Sequence, residues 1–183
     1  MKKAQHIILA AITAVSLSTS AMAAEHTLAV GVAQTQLDTA PENLYGLNLK
    51  YRYDSGACLG FIASATITGR SHDKSYADMG NGTLVTTETT TYGYGSLSLG
   101  PVYRLSPIFS VYSTVGYADY FVEIENKKTN KTYKPRDEAM LSAGLGVQAN
   151  VTNHLVIDAG YEYVPFSSHY DASTFTLGLG YRF

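Results

Sequence analysis

The feature that most restricts the fold of this chain is a two-residue alternation running through short segments. Phe175, Leu177, Leu179, Tyr181 and Phe183 alternate with Thr174, Thr176, Gly178, Gly180 and Arg182. Successive side chains of a strand point to opposite faces, so such a segment has one apolar and one polar side. Leu44–Tyr53 repeats the pattern, with Tyr45, Leu47, Leu49, Tyr51 and Tyr53 against Gly46, Asn48, Lys50 and Arg52. Leu155–Tyr163 does so with Leu155, Ile157, Ala159, Tyr161 and Tyr163 against Val156, Asp158, Gly160 and Glu162. Thr27–Gln36, Leu59–Thr68, Thr91–Arg104, Phe109–Tyr120 and Ala139–Ala149 follow the same rule. About eight strands result, the smallest usual number for a transmembrane barrel.

The connections alternate in length. Short ones fall near Asp54-Ser55-Gly56, Ser106-Pro107 and Asn150–His154, and longer ones near Leu37–Asn43, Gly69–Thr90, Val122–Asp137 and Val164–Asp171. Short periplasmic turns and long outer loops characterise outer-membrane barrels, and an even strand count puts both termini on the periplasmic side.

A soluble β-sandwich also alternates, and three features favour the membrane over it. The polar parity is mostly Gly, Ser, Thr and Asn, which suits a lumen only wide enough for side chains to fill. Aromatics gather toward strand ends: Tyr51, Tyr53, Tyr103, Phe109, Tyr181 and Phe183 would form a periplasmic girdle, and Tyr45, Tyr117, Tyr161, Tyr163 and Phe175 an outer one. Of the aromatic residues, 15 are Tyr and none is Trp. Tyr suits a lipid–water boundary because its ring is apolar and its tip polar. Finally, the order ends on Phe183 in strand phase.

Met1-Lys2-Lys3, the apolar run Ile7–Val15 and Ala21-Met22-Ala23 read as a secretory leader cut after Ala23, leaving 24–183 as the barrel. The apolar run is far short of the roughly 20 residues that span a bilayer as a helix. Lys2 and Lys3 leave with the leader, so the 13 basic residues fall further below the 15 acidic ones. That mild acidic balance gives no reason to expect nucleic acid. The single cysteine, Cys58, excludes an internal disulfide.

Four segments now carry a family likeness. Asn48-Leu49-Lys50-Tyr51-Arg52-Tyr53, Gly100-Pro101-Val102-Tyr103-Arg104, Asp158-Ala159-Gly160-Tyr161-Glu162-Tyr163 and Gly178-Leu179-Gly180-Tyr181-Arg182-Phe183 resemble the Ail/Lom/OmpX family of enterobacterial outer-membrane proteins, with the PagC and Rck branch within it. The resemblance covers the whole mature chain. It implies an eight-stranded up-and-down barrel with no open pore. It also implies a role in adhesion to or invasion of host cells, serum resistance or envelope adaptation. The ligands implied are lipopolysaccharide and host cell-surface, matrix or complement-regulatory proteins. The terminal aromatic strand resembles the signal read by the barrel assembly machinery. A structural envelope-stress barrel without a host ligand is the alternative role, a lipid A-modifying enzyme the third, and a monomer is the expected state.

Candidate chemistry falls into three groups. Lys50, Arg52, Arg104, Asp158, Glu162 and Arg182 share the lumen parity, and buried charges call for pairing, so a network of Arg/Lys to Asp/Glu pairs is expected to plug the barrel. The loops hold the ligand candidates: Arg70, His72, Lys74 and Tyr76 in one, and Lys127, Lys128, Lys131, Lys134 and Arg136 in another. A cationic patch attracts anionic partners through its long-range field. Thr86–Thr91 and Asn126–Tyr133 are expected to extend the sheet beyond the membrane, because threonine favours strands.

Catalysis is the third group, and none is expected. Asp158 and Glu162 lie about 13 Å apart along one strand, wider than a glycosidase pair at roughly 5–9.5 Å. Ser167, Ser168, His169 and Asp171 form the only compact Ser/His/Asp cluster, but adjacent strand residues diverge. His26, His72, His154 and His169 lack metal-ligand spacing, so no metal or cofactor is expected.

Overall fold

The computed structural model describes residues 25–38, 42–56, 58–77, 84–126, 131–167 and 170–183. The expected leader, 1–23, lies outside them, as do Lys127, Lys128, Ser168 and His169. The strands are β1 Glu25–Leu37, β2 Leu44–Asp54, β3 Leu59–Ala77, β4 Leu84–Arg104, β5 Phe109–Asn126, β6 Lys131–Asn150, β7 Leu155–Ser167 and β8 Tyr170–Arg182. Each pairs antiparallel with its sequence neighbour, and β1 pairs with β8 from Thr27↔Arg182 to Leu37↔Ala172, so the sheet closes on itself. Closure satisfies the backbone groups that an open edge would leave bare in lipid.

Parity sorts the two faces. Val30, Leu47, Phe61, Leu99, Val115, Leu145 and Leu177 stand outward and exposed, from 56% for Val30 to 67% for Val115. Their neighbours Ala29, Asn48, Ile62, Ser98, Thr114 and Gly146 turn inward and are buried, as does Thr174 on the same parity of β8. An outward surface this apolar is the lipid face of a membrane barrel. At the short end, Gly56 adopts φ 82°, a left-handed turn conformation that strains other residues.

The lumen is more apolar than the mostly Gly, Ser, Thr and Asn parity suggests. At its outer end Leu37, Leu44, Tyr94, Ala118, Tyr120, Val122, Val164 and Ala172 form a buried apolar cluster, with Tyr92 packed on it. Nearer the periplasm Ile62, Val102 and Tyr112 form a second. These residues obey the strand period but carry apolar groups on the inward parity. They bury that surface against one another across the barrel, which removes it from water as effectively as facing lipid does.

The long connections are also more strand than loop. β3 to β6 are 18 to 21 residues long, while the other strands have 11 to 13. The β2–β3 ladder stops at Tyr45↔Gly69 and the β6–β7 ladder begins at Ala143↔Tyr163, so β3 to β6 rise past both neighbours as a four-stranded sheet. The eight residues Arg70–Ala77 alone span about 26 Å at the usual rise per residue. Register shifts between Lys74 and Ser75 and between Val122 and Ile124 mark β-bulges in this projection. Bulges add local twist, which hinders edge-to-edge pairing.

Candidate functional site

Two sites emerge, one inside the barrel and one on the projecting sheet. Inside, the Lys50 ammonium forms an ion pair with Asp158 Oδ1 and donates to Thr176 Oγ1 at 2.8 Å. Asp158 also accepts from Gln148 Nε2 at 3.0 Å and from the Tyr112 hydroxyl at 3.3 Å. Gln148 passes the chain on by accepting from Arg52 at 2.9 Å. Arg52 in turn donates to Asp54 Oδ1 at 2.9 Å, with its Nε 2.8 Å from Oδ2 but off the hydrogen-bond axis. Lys50, Arg52, Asp54 and Asp158 are all at most 4% exposed.

Arg104 and Arg182 stand apart from this layer, at the periplasmic mouth. Both reach Glu25 Oε2, Arg104 at 2.7 Å, and Arg104 also lies 3.3 Å from Asp54. Neither Glu25 nor Asp54 stands out in the sequence: Glu25 opens the first strand and Asp54 reads as a turn residue. In the structure Asp54 closes β2 on the inward parity.

Glu162 departs from the expected Arg/Lys pairing. Its Oε2 accepts from the Ser96 hydroxyl at 2.7 Å and from the Tyr94 hydroxyl at 3.1 Å. The reason is position along β7, because Asp158 meets Lys50 while Glu162, four residues and so two pleat repeats further on, meets Tyr94 and Ser96.

Histidine placement is more structured than strand-end solvation. His26 Nδ1 lies 2.7 Å from the Tyr51 hydroxyl, and its ring stacks on Phe183 at 5.8 Å. His154 stacks on Tyr181 at 5.6 Å. Both sit at the periplasmic end, where His26 and Phe183 exchange backbone hydrogen bonds across the β1–β8 seam. His72 is exposed on β3. Of the Ser/His/Asp cluster, Asp171 is engaged by the Tyr163 hydroxyl at 2.9 Å. Cys58 is exposed in the β2–β3 turn.

On the projection, register unites the two groups of ligand candidates. Arg70, Tyr92, Val122 and Arg136 occupy one row across β3, β4, β5 and β6. His72, Thr90, Ile124 and Tyr133 occupy the next, and Lys74, Glu88, Asn126 and Lys131 the third. Val122 is buried in the outer apolar cluster and Tyr92 packs on it, so this parity continues the lumen side. Glu42, Arg70, His72 and Tyr92 line a small hollow at its foot, where Arg70 pairs with Glu42. Lys134 falls in the β6 bulge and Tyr76 above the β3 bulge.

This geometry, a closed eight-stranded barrel with an apolar belt and a one-sided extension, has close counterparts. The family model described as the outer membrane protein beta-barrel domain matches residues 7–183. The chain belongs to the outer membrane protein β-barrel family. Outer membrane protein X of Enterobacter cloacae is 34% identical, the match covering 96% of this chain and 95% of that one. Virulence membrane protein PagC of Salmonella typhimurium is 32% identical over 93% of this chain and 94% of its own. The solved structure of Ail, the attachment invasion locus protein of Yersinia pestis, in complex with the heparin analogue sucrose octasulfate, superposes with a TM-score of 0.78 at 30% identity, covering 88% of this chain and all of that one. As a member of this family, the chain is an outer-membrane protein that crosses the bilayer with eight strands.

Proposed function

We propose that this barrel is a non-enzymatic surface protein that attaches the cell to anionic host surfaces, in adhesion, invasion or serum resistance. The observation that carries the reading is the shared face of the projecting sheet. Arg70, His72 and Lys74 on β3, and Lys131 and Arg136 on β6, hold the flanks of three consecutive rows on the lumen-side parity. Tyr92 and Val122 occupy the middle positions of the first row and Thr90 and Ile124 those of the second, whose β6 flank is Tyr133. Such a face offers cationic flanks to a polyanion and an aromatic and aliphatic centre to a protein or sugar ring. The heparin analogue held by the Yersinia pestis Ail structure is a ligand of that chemistry.

The partners that follow are sulfated or acidic host cell-surface, matrix and complement-regulatory molecules. Lipopolysaccharide would surround the barrel in the outer leaflet, and the assembly machinery would read the strand ending in Phe183. Catalysis is not part of this reading. The lumen-facing carboxylates hold structural partners, and the described residues contain no group of three or more His, Cys, Asp or Glu able to hold a metal.

The test is expression in a non-adherent laboratory bacterium. Host-cell binding and serum survival should rise with the wild-type protein. Both should fall when Arg70, Lys131 and Arg136 are changed to Glu, and the loss of binding should be greatest at low salt. Undiminished binding by the triple variant across a salt series would contradict the reading.

A further inference from the structure

Between the two apolar clusters the lumen contains a polar void lined by Lys50, Ser64, Thr66, Ser98, Thr114 and Glu162, among others. Glu162 is 8% exposed, and while its Oε2 is occupied by Tyr94 and Ser96, its Oε1 is buried without a protein partner. A buried carboxylate oxygen left without a donor is costly, more so than a neutral group. On the opposite side of the void stands a donor with capacity to spare. An ammonium carries three N–H groups; Lys50 gives one to Asp158 Oδ1 and one to Thr176 Oγ1.

The void is large enough for a water molecule and polar enough to hold one. We propose that it is a built hydration site, in which a resident water joins Lys50 to Glu162 as a water-mediated ion pair. The water accepts the third N–H of Lys50 and donates one hydrogen to Glu162 Oε1. Its second hydrogen finds the hydroxyl oxygens of Ser98 and Thr114 on the wall. Bridged in this way, a polar contact is nearly as favourable as a direct one. Lys50 thereby serves two carboxylates, Asp158 directly and Glu162 across the water. The polar chain, already continuous from Arg52 through Gln148 and Asp158 to Lys50, then extends to Glu162, Ser96 and Tyr94.

Asn48 shapes the lower wall. It donates to Ser64 and Thr66 at 2.9 Å each, which fixes two hydroxyl oxygens and holds the void open beside Lys50. Gly160 keeps space there too: a Cβ at that position would lie 2.9 Å from Lys50 Nζ and 2.5 Å from the Tyr112 hydroxyl. A side chain on residue 160 would therefore displace the ammonium from the site.

Two measurements on the mature protein test the site. In a crystal structure fine enough to show ordered solvent, one water should lie within about 3.2 Å of both Glu162 Oε1 and Lys50 Nζ. No density there overturns the proposal. So does an anomalous peak there after a rubidium chloride soak, because it would mean that a monovalent cation holds the site. Second, unfolding rates are compared for Lys50→Met, Glu162→Gln and the double variant. A bridged pair couples, so the double variant should depart by about threefold or more from the product of the single effects. Simple multiplication of the two effects would overturn the bridge even if a water were seen. Glu162→Gln keeps the side-chain shape and Lys50→Met shortens it by one atom, and the heat-modifiable migration of the folded barrel shows whether each variant has folded.

Discussion

Lys50 joins two kinds of partner in the buried charge layer, a carboxylate and an aromatic ring. It is 4% exposed, it is ion-paired with an equally buried Asp158, and its ammonium lies 5.4 Å from the centre of the Tyr112 ring. Removing one partner of a buried pair leaves an uncompensated charge, which costs about 3–5 kcal/mol. Lys50→Met should therefore destabilise the folded barrel by about that amount, read as a lower urea midpoint in lipid vesicles. Asp158→Asn in the same background should recover part of the loss, since the stranded charge goes with it. A variant as stable as wild type would show that Gln148 and Tyr112 suffice to hold Asp158. A second residue-scale effect sits at the outer end of the β1–β8 seam. There the side chain of Asp38 shares a hydrogen bond with Asp171, and repulsion between the two carboxylates adds to it; both raise the Asp38 pKa above its ordinary 3.8. The folded state thus binds the proton more tightly than the unfolded chain. The stabilisation is complete below the ordinary value and disappears as pH rises through the raised one. At neutral pH Asp38→Asn should accordingly make the barrel slightly more stable than wild type. The gap should close as the pH falls below about 4. Because Asp38 is exposed, the effect is small, and a pH-independent gap would rule out the shared proton as its origin.

At the scale of strands, the β4–β5 contact shows how tightly the wall is built. The β4–β5 pairing runs Leu99↔Val115 and then Val102↔Tyr112, passing over Gly100 and Pro101. A Cβ on Gly100 would sit 1.9 Å from the Ser113 carbonyl oxygen and 2.9 Å from Thr114 Cα, both main-chain atoms that cannot swing aside. Gly100→Ala should cost about 1–3 kcal/mol through backbone displacement, measurable as faster unfolding of the reconstituted barrel. An unchanged rate would mean that the two strands can separate here without loss. The same strand shows what local pattern can and cannot reveal. Leu97, Leu99, Pro101 and Tyr103 read as lipid-facing from alternation alone, because a strand's period is a local property. Tyr94 falls on the opposite parity, and nothing within β4 says that it will meet Glu162 from β7 across the lumen. That meeting depends on how the strands are staggered around the barrel, which no single strand encodes. Glu25 is hidden for the same reason, since Arg104 and Arg182 reach it from other strands, and so is the Asp54–Arg104 contact, whereas Arg52 meets Asp54 along β2 itself. Leu37 and Leu44 mislead in another way: each flanks an expected loop, and only closure of the β1–β2 and β1–β8 ladders turns them inward.

For the whole molecule, the consequence of the layered interior is a barrel sealed in series. From outside inward an ion meets the apolar cluster around Leu44, Tyr94, Tyr120 and Val164, then the Lys50–Asp158 layer with Tyr112 bonded to it, then Arg52 and its ladder partner Ile62, then Arg104 with Glu25. Barriers in series are governed by the highest one remaining, so opening any single layer leaves the path closed. Wild-type protein in a planar bilayer should pass no steady current. Tyr94→Ala with Tyr120→Ala, which hollows only the outer cap, should stay silent as well. Adding Lys50→Ala and Arg52→Ala should still leave the path closed, because Ile62, Val102 and Tyr112 remain. Leakage should appear only when Tyr112→Ala is added as well, since side chains fill the narrow eight-stranded lumen. A steady current from the tyrosine double variant would place the entire seal in the outer cap and reduce the charged layers to a structural role. Silence in that fivefold variant, verified as folded and inserted, would instead assign the seal to Ile62, Val102 and the Arg104–Glu25 pair. That result would set the narrowest point of the lumen on the periplasmic half of the barrel, far from the projecting face where binding is proposed.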